Sequence, residues 1–293
     1  MKRLRHQAEA AAIRAGLFLL RRLGSVAASN LGGAIARTVG PLLPVSRIAL
    51  ANLALAMPET SAKDRRVILR DVWDNLGRTV AELPHLAGLQ RTAFGPGWET
   101  VGAEIAEQAA ATPGAVILFS AHTGNWEMLP AMAAAFGIRL SSFYRAASNP
   151  LVDHLIMDLR TGAMTDPPPN FAKGAKGARG ALAHLGRGGR LGMLVDQKMN
   201  DGIAAPFFGH LAMTAPAAAA FALRFNCPLI PAHVERLGPA RFRLVVEQPL
   251  PLPATTDRQA DIATLTAAMN ATVENWIRTR PGEWLWLHRR WPR

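Results

Sequence analysis

The sequence predicts an α/β fold: an αβα sandwich with a mostly parallel central sheet, preceded by an N-terminal helical segment that associates with a membrane. From residue 61 onward, apolar strand-like runs alternate with segments of helical periodicity, which favours parallel strands connected by helices. Ionisable residues follow directly after some of these runs, where ligands bind in such sheets. Hydrophobic residues make up 49% of the 293-residue chain and charged residues 18%, which is not typical of a protein with many membrane spans.

The first half of the predicted sandwich follows from periodicity and from the turn residues between elements. Residues 61–83 have helical periodicity behind a serine that can cap the helix, and residues 88–98, which include "GPGW", are expected to form a loop. A helix at 101–110 leads through the turn "TPG" to an apolar strand at 115–121. A helix is expected from Trp126, with Pro130 leaving its first turns undefined.

The second half continues the alternation of strands and helices. Residues 138–144 predict a strand and 150–160 a helix, and "TDPPPNFAKGAKG" predicts a loop. The remaining elements are expected as helices at 178–187, 215–226 and 258–279 and as strands at 191–195, 228–234 and 241–247. No stretch in this part is rich enough in Pro, Gly or Ser to separate two domains.

The N-terminal 45 residues differ from the rest because apolar residues are mixed with arginines. "AAAIRAGLFLLRRLGSVAASNLGGAIARTVGPLLP" is interrupted by Arg14, Arg21, Arg22 and Arg37. No stretch reaches the ~18 uncharged apolar residues of a spanning helix, and the pattern does not match a cleaved signal peptide. It suits a helical segment lying in a membrane interface. The alternative is an ordinary N-terminal helix packed on the domain.

The formal net charge of +12 indicates an anionic partner, such as membrane lipid, nucleic acid or an acidic protein. Only five of the 33 basic residues are lysines, so a bias in genome base composition accounts for the charge equally well. Nucleic acid is the least supported partner, because the arginines are scattered and no binding module is recognisable. The single cysteine, Cys227, excludes an internal disulfide, fits a reducing compartment and predicts a buried inert thiol.

The stretch "VILFSAHTGNWEML" at 116–129 carries the chemistry, since His122 follows an apolar strand and Glu127 lies five residues later. On one continuous helix this spacing would not place them on the same face. With His122 in the strand-exit loop and Glu127 in the first helical turn, a bend at Gly124 lets them converge. The carboxylate would then hold an imidazole that removes a proton from a substrate hydroxyl. The alternative is a structural histidine and a glutamate placed for the helix dipole.

Further candidates follow the neighbouring strands. Arg145 and Arg160 end a strand and the next helix, and guanidinium groups suit phosphate. Asn149 can cap that helix and is a weaker site candidate. Asp196 follows another strand and is expected to hold a site arginine or a loop, since a buried charge needs a partner. No His, Asp or Glu cluster has metal-ligand spacing and "KGAKGARG" lacks a Walker pattern, so we expect neither metal nor cofactor.

Five segments in chain order carry a family resemblance. They are "ANLALAMPE", "SAHTGNWE", "FYRAASNPLVDHLIMDLR", "GGRLGMLVDQ" with "APFFGHLAMTAPAAAAFALRFNCPLIPAHVER", and "GEWLWLHRRW". Together they resemble the late acyltransferases of lipid A biosynthesis, the lauroyl/myristoyl transferases of Gram-negative bacteria. That family is similar to the wider glycerolipid acyltransferases with an H-x4-D/E motif. The resemblance covers most of the chain.

The resemblance implies transfer of a fatty acyl chain from an acyl-carrier-protein thioester to a hydroxyl of an acylated glucosamine lipid, a lipid A precursor. It implies that His122 is the general base and Glu127 its partner. Residues that would bind substrate are Arg160, Arg145, Asn149, Asp196 and Asn125. N–H groups near Gly124 and Asn125, or an arginine, could stabilise the oxyanion. Residues 1–45 would form the membrane-associated segment and 46–293 the acyltransferase domain.

The resemblance also implies partners and a location: acyl-carrier protein as donor, a lipid substrate, the cytoplasmic face of the inner membrane and no nucleic acid. Attachment would be peripheral or through a single N-terminal anchor. Two alternatives stay open, namely an acyltransferase for another phospholipid or glycolipid, and a catalytically inactive lipid-binding relative. The C-terminal Trp284 and Trp286 are expected in the core, with membrane-interface contact as the other reading.

Overall fold

The structure, a computed structural model, describes residues 2–291. The strands are β1 (Gly97–Val101), β2 (Val116–Ser120), β3 (Leu140–Tyr144), β4 (Phe171–Ala172), β5 (Arg190–Leu194), β6 (Lys198–Phe207), β7 (His210–Thr214), β8 (Leu229–Gly238) and β9 (Arg241–Val246). The α-helices are α1 (Lys2–Leu23), α2 (Ser25–Val39), α3 (Ser46–Ala56), α4 (Ala62–Glu82), α5 (Ala103–Ala111), α6 (Leu129–Ala134), α7 (Pro150–Thr161), α8 (Ala175–Gly186), α9 (Ala217–Phe225) and α10 (Arg258–Thr279). Short 3₁₀ helices lie at Gly40–Leu42, Leu83–Gly88, Trp126–Met128 and Pro281–Glu283.

The central sheet has seven strands in the order β1-β9-β8-β2-β5-β3-β4. Pairing is parallel throughout except between β8 and β9. Strand β2 lies between β8 and β5, with Ile117 opposite Leu229 on one side and Leu191 on the other. The predicted α/β fold with a mostly parallel sheet is therefore confirmed.

Helices cover both faces of the sheet, and strand β2 shows why. All five of its residues are buried, and successive side chains on a strand point to opposite faces. Ile117 and Phe119 pack with α8, α9 and α10, whereas Val116 and Leu118 pack with α5 and α6. A strand with apolar layers on both sides needs the continuous apolar run seen in the sequence.

Strand β1 corrects the prediction of a loop over 88–98 and a helix from residue 101. The chain pairs in parallel with β9 from Gly97 to Val101, and α5 begins only at Ala103. Glu99 accepts hydrogen bonds from Arg241 at 2.7 Å and Arg243 at 2.8 Å. These partners lie more than a hundred residues away in sequence, so local pattern carried too little information to predict this edge strand.

The antiparallel hairpin of β6 and β7 was not predicted either. It forms a separate two-stranded sheet, and its first residues, "KMNDG", lack the apolar alternation that predicts a strand. Its two-residue turn at Phe208 and Gly209 has φ angles of 54° and 73°, as a type I′ turn requires. Packing against α10 stabilises the hairpin, because Asn270 Nδ2 donates to the Pro206 carbonyl at 3.0 Å.

The N-terminal helices pack beside the sandwich, with α2 crossing α4 at close range. A Cβ added at Gly32 would lie 2.4 Å from the Gly77 carbonyl oxygen, so the two backbones touch at these glycines.

Within residues 2–291 no single helix is long and apolar enough to cross a membrane. The segments Ser25–Leu42 and Ser46–Ala56 meet that criterion only as a pair, and they are bent by 84° at the break between them.

Candidate active site

The imidazole of His122 is held by Asp196. His122 lies two residues beyond β2 and Asp196 two residues beyond β5, the neighbouring parallel strand. Nδ1 of His122 lies 2.8 Å from Oδ1 of Asp196, and the His122 backbone N–H donates to Oδ2 at 3.0 Å. Adjacent strands ending at one edge of the sheet thus bring the imidazole and the carboxylate together.

The surroundings of Asp196 keep its carboxyl group ionised. The residue is 1% exposed, and the indole Nε1–H of Trp284 donates to Oδ2 at 2.7 Å. Burial alone raises the pKa of Asp196, but the charge and hydrogen bonds of His122 and the charge of His288 outweigh it, so the pKa lies well below its usual range. An ionised carboxylate only accepts hydrogen bonds, so Nδ1 of His122 carries the hydrogen and Nε2 presents its lone pair.

The Nε2 side of His122 faces Gln197. The side-chain amide nitrogen of Gln197 lies 3.4 Å from His122 Nε2. Lys173 Nζ lies 3.4 Å from Gln197 Oε1, which turns the NH₂ group of the amide toward the imidazole. The ring of Trp126 meets the His122 ring edge-on, with 5.1 Å between centroids. The His122 imidazole is therefore oriented on one side by Asp196 and flanked on the other by an amide donor and an aromatic ring.

Glu127 forms a second pair, with Arg160. Arg160 Nε and Nη2 donate to the two carboxylate oxygens of Glu127, each at 2.6 Å. Burial alone lowers the pKa of Arg160, but the hydrogen bonds and charge of Glu127 more than offset this and raise it. Trp126 Nε1 also donates to Glu127, at 3.2 Å, so Trp126 contacts both pairs. This corrects the pairing expected from sequence: Asp196 holds the imidazole and Glu127 holds Arg160. A catalytic role for Glu127 stays a prediction.

The loop between His122 and Glu127 is fixed from beneath. Gly124 has a φ of +54°, and a Cβ there would lie 2.1 Å from the Val234 carbonyl oxygen, so the bend expected at this glycine is present. Its N–H donates to the Glu283 carbonyl at 3.2 Å, which corrects the expectation that it is free for an oxyanion. Asn125 is fully buried; its Nδ2 donates to Glu82 at 2.8 Å and its Oδ1 accepts from the Glu127 N–H at 3.2 Å.

The other predicted residues lie near this edge in different roles. Arg145 follows β3 directly and is exposed, and within the described residues it makes no salt bridge. Asn149 caps α7 through the Leu151 N–H at 3.0 Å and donates to the His6 carbonyl at 2.9 Å. It lines a surface cavity of about 510 Å³ between α1 and α7 that does not include His122. Asp196 holds the His122 loop, one of its two expected roles; its hydrogen bonds in the described chain include no arginine.

Four residues of the site were not assigned to it from the sequence: Trp126, Gln197, Trp284 and His288. Gln197 follows Asp196 directly in the sequence. Trp284 and Trp286 are both fully buried, as predicted for residues of the core. His288 Nε2 lies 3.3 Å from the Asp196 carbonyl oxygen, and burial lowers the pKa of His288. The signal available was the dense cluster of Trp and His in "EWLWLHRRW", but nothing local ties that segment to β5.

Between residues 2 and 291, no group of three His, Cys, Asp or Glu side chains is placed to hold a metal ion.

Comparisons with known proteins place these observations in context. A family model described as "Bacterial lipid A biosynthesis acyltransferase" matches residues 1–293. No curated protein sequence is significantly similar to this chain. Among solved structures, the chain is similar to the 1-acyl-sn-glycerophosphate (LPA) acyltransferase PlsC from Thermotoga maritima, with 12% identity, a TM-score of 0.41, and coverage of 85% of this chain and 99% of that one.

Proposed function

Because this chain belongs to the bacterial lipid A biosynthesis acyltransferase family, we propose that it transfers a fatty acyl chain from an acyl-carrier-protein thioester to a hydroxyl of an acylated glucosamine lipid. Lipid acyl transfer is the activity of the family. The acyl-carrier-protein donor and the glucosamine-lipid acceptor are what we propose for this chain. One observation carries it: the His122 imidazole, fixed through Nδ1 by the buried carboxylate of Asp196 at 2.8 Å. That arrangement suits a base acting on a hydroxyl that the substrate supplies.

The acceptor attacks the thioester directly, and no cysteine of the protein serves as an intermediate nucleophile. The single cysteine, Cys227, is 4% exposed, and burial raises the pKa of its thiol to about 11, which opposes a thiolate intermediate. A lipid hydroxyl is a very weak acid, so His122 Nε2 takes its proton as the oxygen attacks. The carbon–oxygen bond forms, Asp196 stabilises the imidazolium, and the proton then passes to the leaving sulfur as the carbon–sulfur bond breaks.

The tetrahedral oxyanion needs donors near the base. The Gly124 N–H already donates to Glu283, and the Arg160 guanidinium is bound by Glu127. The amide of Gln197, 3.4 Å from Nε2 of His122, is close enough to reach an oxygen that develops beside the attacked carbon. We assign Gln197 as an oxyanion donor on this ground.

Arg160 and Arg145 are proposed to bind anionic groups of the lipid acceptor. The Arg160 side chain is 30% exposed although Glu127 fixes it, so it presents a fixed cation at the carboxyl edge of the sheet. Arg145 leaves β3 at the same edge. Guanidinium groups suit phosphate oxygens, which they bind in pairs. Asn125 and Asn149 support this arrangement indirectly, by fixing the His122 loop and by capping the helix that carries Arg160.

The N-terminal helices are proposed to bind the cytoplasmic surface of the inner membrane. Large apolar side chains on α1 and α2 and just beyond them are exposed, among them Phe18 at 54%, Leu19 at 64%, Ile35 at 56% and Leu42 at 81%. Arginines 14, 21 and 22 are exposed beside them. Apolar surface interspersed with arginine matches an interfacial helix on anionic lipid. The acidic acyl-carrier protein is the second partner that a basic chain favours.

Mass spectrometry of the lipid products tests the proposal. Purified protein is mixed with acyl-carrier thioesters and with either an acylated glucosamine lipid or a lysophospholipid. An added acyl chain on the glucosamine lipid is expected. Acylation of the lysophospholipid alone would assign the other acceptor class, and no acylation of either would contradict an active enzyme.

Variants of the base and its acid test the mechanism in the same assay. His122→Ala and Asp196→Asn are each expected to reduce kcat by about 10²–10⁴-fold, the contribution of a positioned base. His210→Ala removes an exposed histidine of the β6–β7 hairpin and should leave the rate unchanged. A His122→Ala protein with wild-type activity would rule out the assigned base.

A further inference from the structure

We propose that Trp284 is a positioning residue for the base. Residues 283–288, called here the C-terminal strap, hold the His122 imidazole and the Asp196 carboxylate in their relative orientation. This inference rests on the proposed function, because it concerns the same His122. The strap lies in the last residues of the chain, more than 150 positions from His122. Its role depends on contacts with the His122 loop, with Asp196 and with α3.

The strap pairs with the main chain of the His122 loop. Leu285 N–H donates to the His122 carbonyl at 3.1 Å, and Gly124 N–H donates to the Glu283 carbonyl at 3.2 Å. Between them Thr123 and Trp284 form an antiparallel bridge. The loop that follows β2 is thereby converted into a short two-stranded contact, which removes freedom that a strand-exit loop ordinarily keeps.

The side chain of Trp284 reaches the acid itself. Its indole Nε1–H donates to Asp196 Oδ2 at 2.7 Å, and both residues are buried, at 0% and 1% exposure. Oδ2 also accepts from the His122 backbone, and Oδ1 bonds to the His122 ring. The Asp196 carboxylate is thus fixed by one donor from the strap and by two donors from His122. An indole is a donor only, so this contact favours the ionised acid.

The strap is also anchored to α3, away from the His122 side chain. Asn52 Nδ2 in α3 donates to the carbonyls of Trp286 at 2.9 Å and His288 at 2.7 Å. His288 Nδ1 lies 2.8 Å from the Leu285 carbonyl, which closes the strap on itself. The position of Trp284 is therefore set by the fold, and Trp284 in turn sets the rotation of the Asp196 carboxylate.

Trp284→Phe separates positioning from packing, because it keeps an aromatic ring in the core and removes the N–H. Trp291→Phe is the matched control: Trp291 is 6% exposed and its Nε1 donates to the Phe207 carbonyl at 3.2 Å, away from Asp196. We expect kcat of Trp284→Phe to fall by about 10–100-fold, because the carboxylate that orients the His122 imidazole loses its indole donor. KM should change little. Trp291→Phe should retain wild-type kcat.

The pH profile gives a readout that packing alone would not move. Without the indole donor, the Asp196 charge is stabilised less and attracts the protonated imidazole more strongly. The acidic limb of kcat/KM should therefore move to higher pH in Trp284→Phe and stay in place in Trp291→Phe. Wild-type kcat and profile in Trp284→Phe, or equal losses in both variants, would overturn the proposal.

Two NMR measurements test the inference without an acyl-transfer assay. In the folded variant, the ring resonances of His122 should titrate at higher pH than in wild type, whether or not an acyl acceptor has been found. If Trp284→Phe does not fold, the indole N–H resonances are compared between wild type and Asp196→Asn. The Trp284 resonance should shift and the Trp291 resonance should not; an unshifted Trp284 resonance contradicts the contact. Absence of acyl transfer by wild-type protein would count against the proposed function and leave these titrations to decide the role of Trp284.

Discussion

At the scale of single residues, the site consists of two hydrogen-bonded pairs that share one aromatic neighbour. His122 is bound to Asp196, Glu127 is bound to Arg160, and Trp126 contacts the first through its ring and the second through its N–H. The Asp196 side chain is fully buried, whereas Arg160 is 30% exposed. The buried pair is suited to orient a base, and the exposed pair is suited to present a fixed cation to substrate.

Gln197 should contribute to the rate and little to substrate affinity. Gln197→Ala removes the amide nearest to His122 Nε2, so the oxyanion loses a donor that matters mainly in the transition state. The expected loss in kcat is about 10²–10³-fold, typical of one oxyanion donor, with KM changed by less than about threefold. Steady-state acyl-transfer kinetics measure both constants.

Gln90→Ala serves as the control for that variant, since the Gln90 amide is exposed and donates to the nearby Ala87 carbonyl. A Gln197→Ala enzyme whose kcat equals that of Gln90→Ala would remove Gln197 from the mechanism.

At the scale of secondary-structure elements, α1 and α2 combine a packed face with an apolar exposed face. The packed face of α2 meets α4 at Gly32 and Gly77, whose backbones approach too closely for any side chain. Ser29 on the same face donates to Glu82 at 2.6 Å. The exposed face carries Leu31 and Ile35, at 44% and 56% exposure. Helices packed on one side and apolar on the other are typical of proteins that meet a lipid surface.

Replacing Leu19 should weaken membrane binding. Leu19→Glu removes an apolar side chain worth about 1.5–3 kcal/mol on burial and adds a charge that anionic lipid repels. Binding to phosphatidylglycerol-containing vesicles in a flotation assay is expected to fall by about tenfold or more.

Leu211→Glu is the matched control, because Leu211 on β7 is 62% exposed and Leu19 is 64% exposed. Equal loss of flotation in the two variants would show that α1 is not the lipid-binding surface.

At the scale of the whole molecule, one buried carboxylate connects the N-terminal helices to the His122 loop. Glu82 at the end of α4 is 0% exposed and accepts from Ser29 on α2, Asn125 in the loop and the Arg236 guanidinium on β8. Its link to Arg236 has both N–O distances below 3.0 Å, at 2.6 and 2.9 Å. A buried charge held by donors from distant segments makes their relative positions interdependent.

Removing the cation of this pair should destabilise the whole fold. Arg236→Met leaves the Glu82 charge buried without its counter-ion, which costs about 3–5 kcal/mol when one partner of such a pair is lost. The free energy of unfolding is measured by urea denaturation.

Arg139→Ala breaks an exposed pair with Asp166, whose side chains are 59% and 69% exposed, and should change stability by less than about 1 kcal/mol. Similar stabilities of Arg236→Met and Arg139→Ala would contradict the central role of Glu82.

By itself, the sequence determined the α/β class, the strands on either side of His122, and the family. The apolar run at β2 needs cover on both faces whatever follows it, and a histidine placed just after such a strand must lie at its carboxyl end. The five motifs in order were specific enough to identify the family that the match over residues 1–293 shows. These features are local, so the periodicity of apolar residues and the short sequence motifs suffice to predict them.

Only the tertiary structure decided which acid holds the imidazole. Glu127 is five residues from His122 and Asp196 is 74, yet strand order places β5 beside β2 and leaves Glu127 to Arg160. The same holds for Trp284, which reaches Asp196 from 88 residues away, and for β1, which depends on β9. Contacts between distant segments are set by the order in which strands pair, and no local pattern of residues encodes that order.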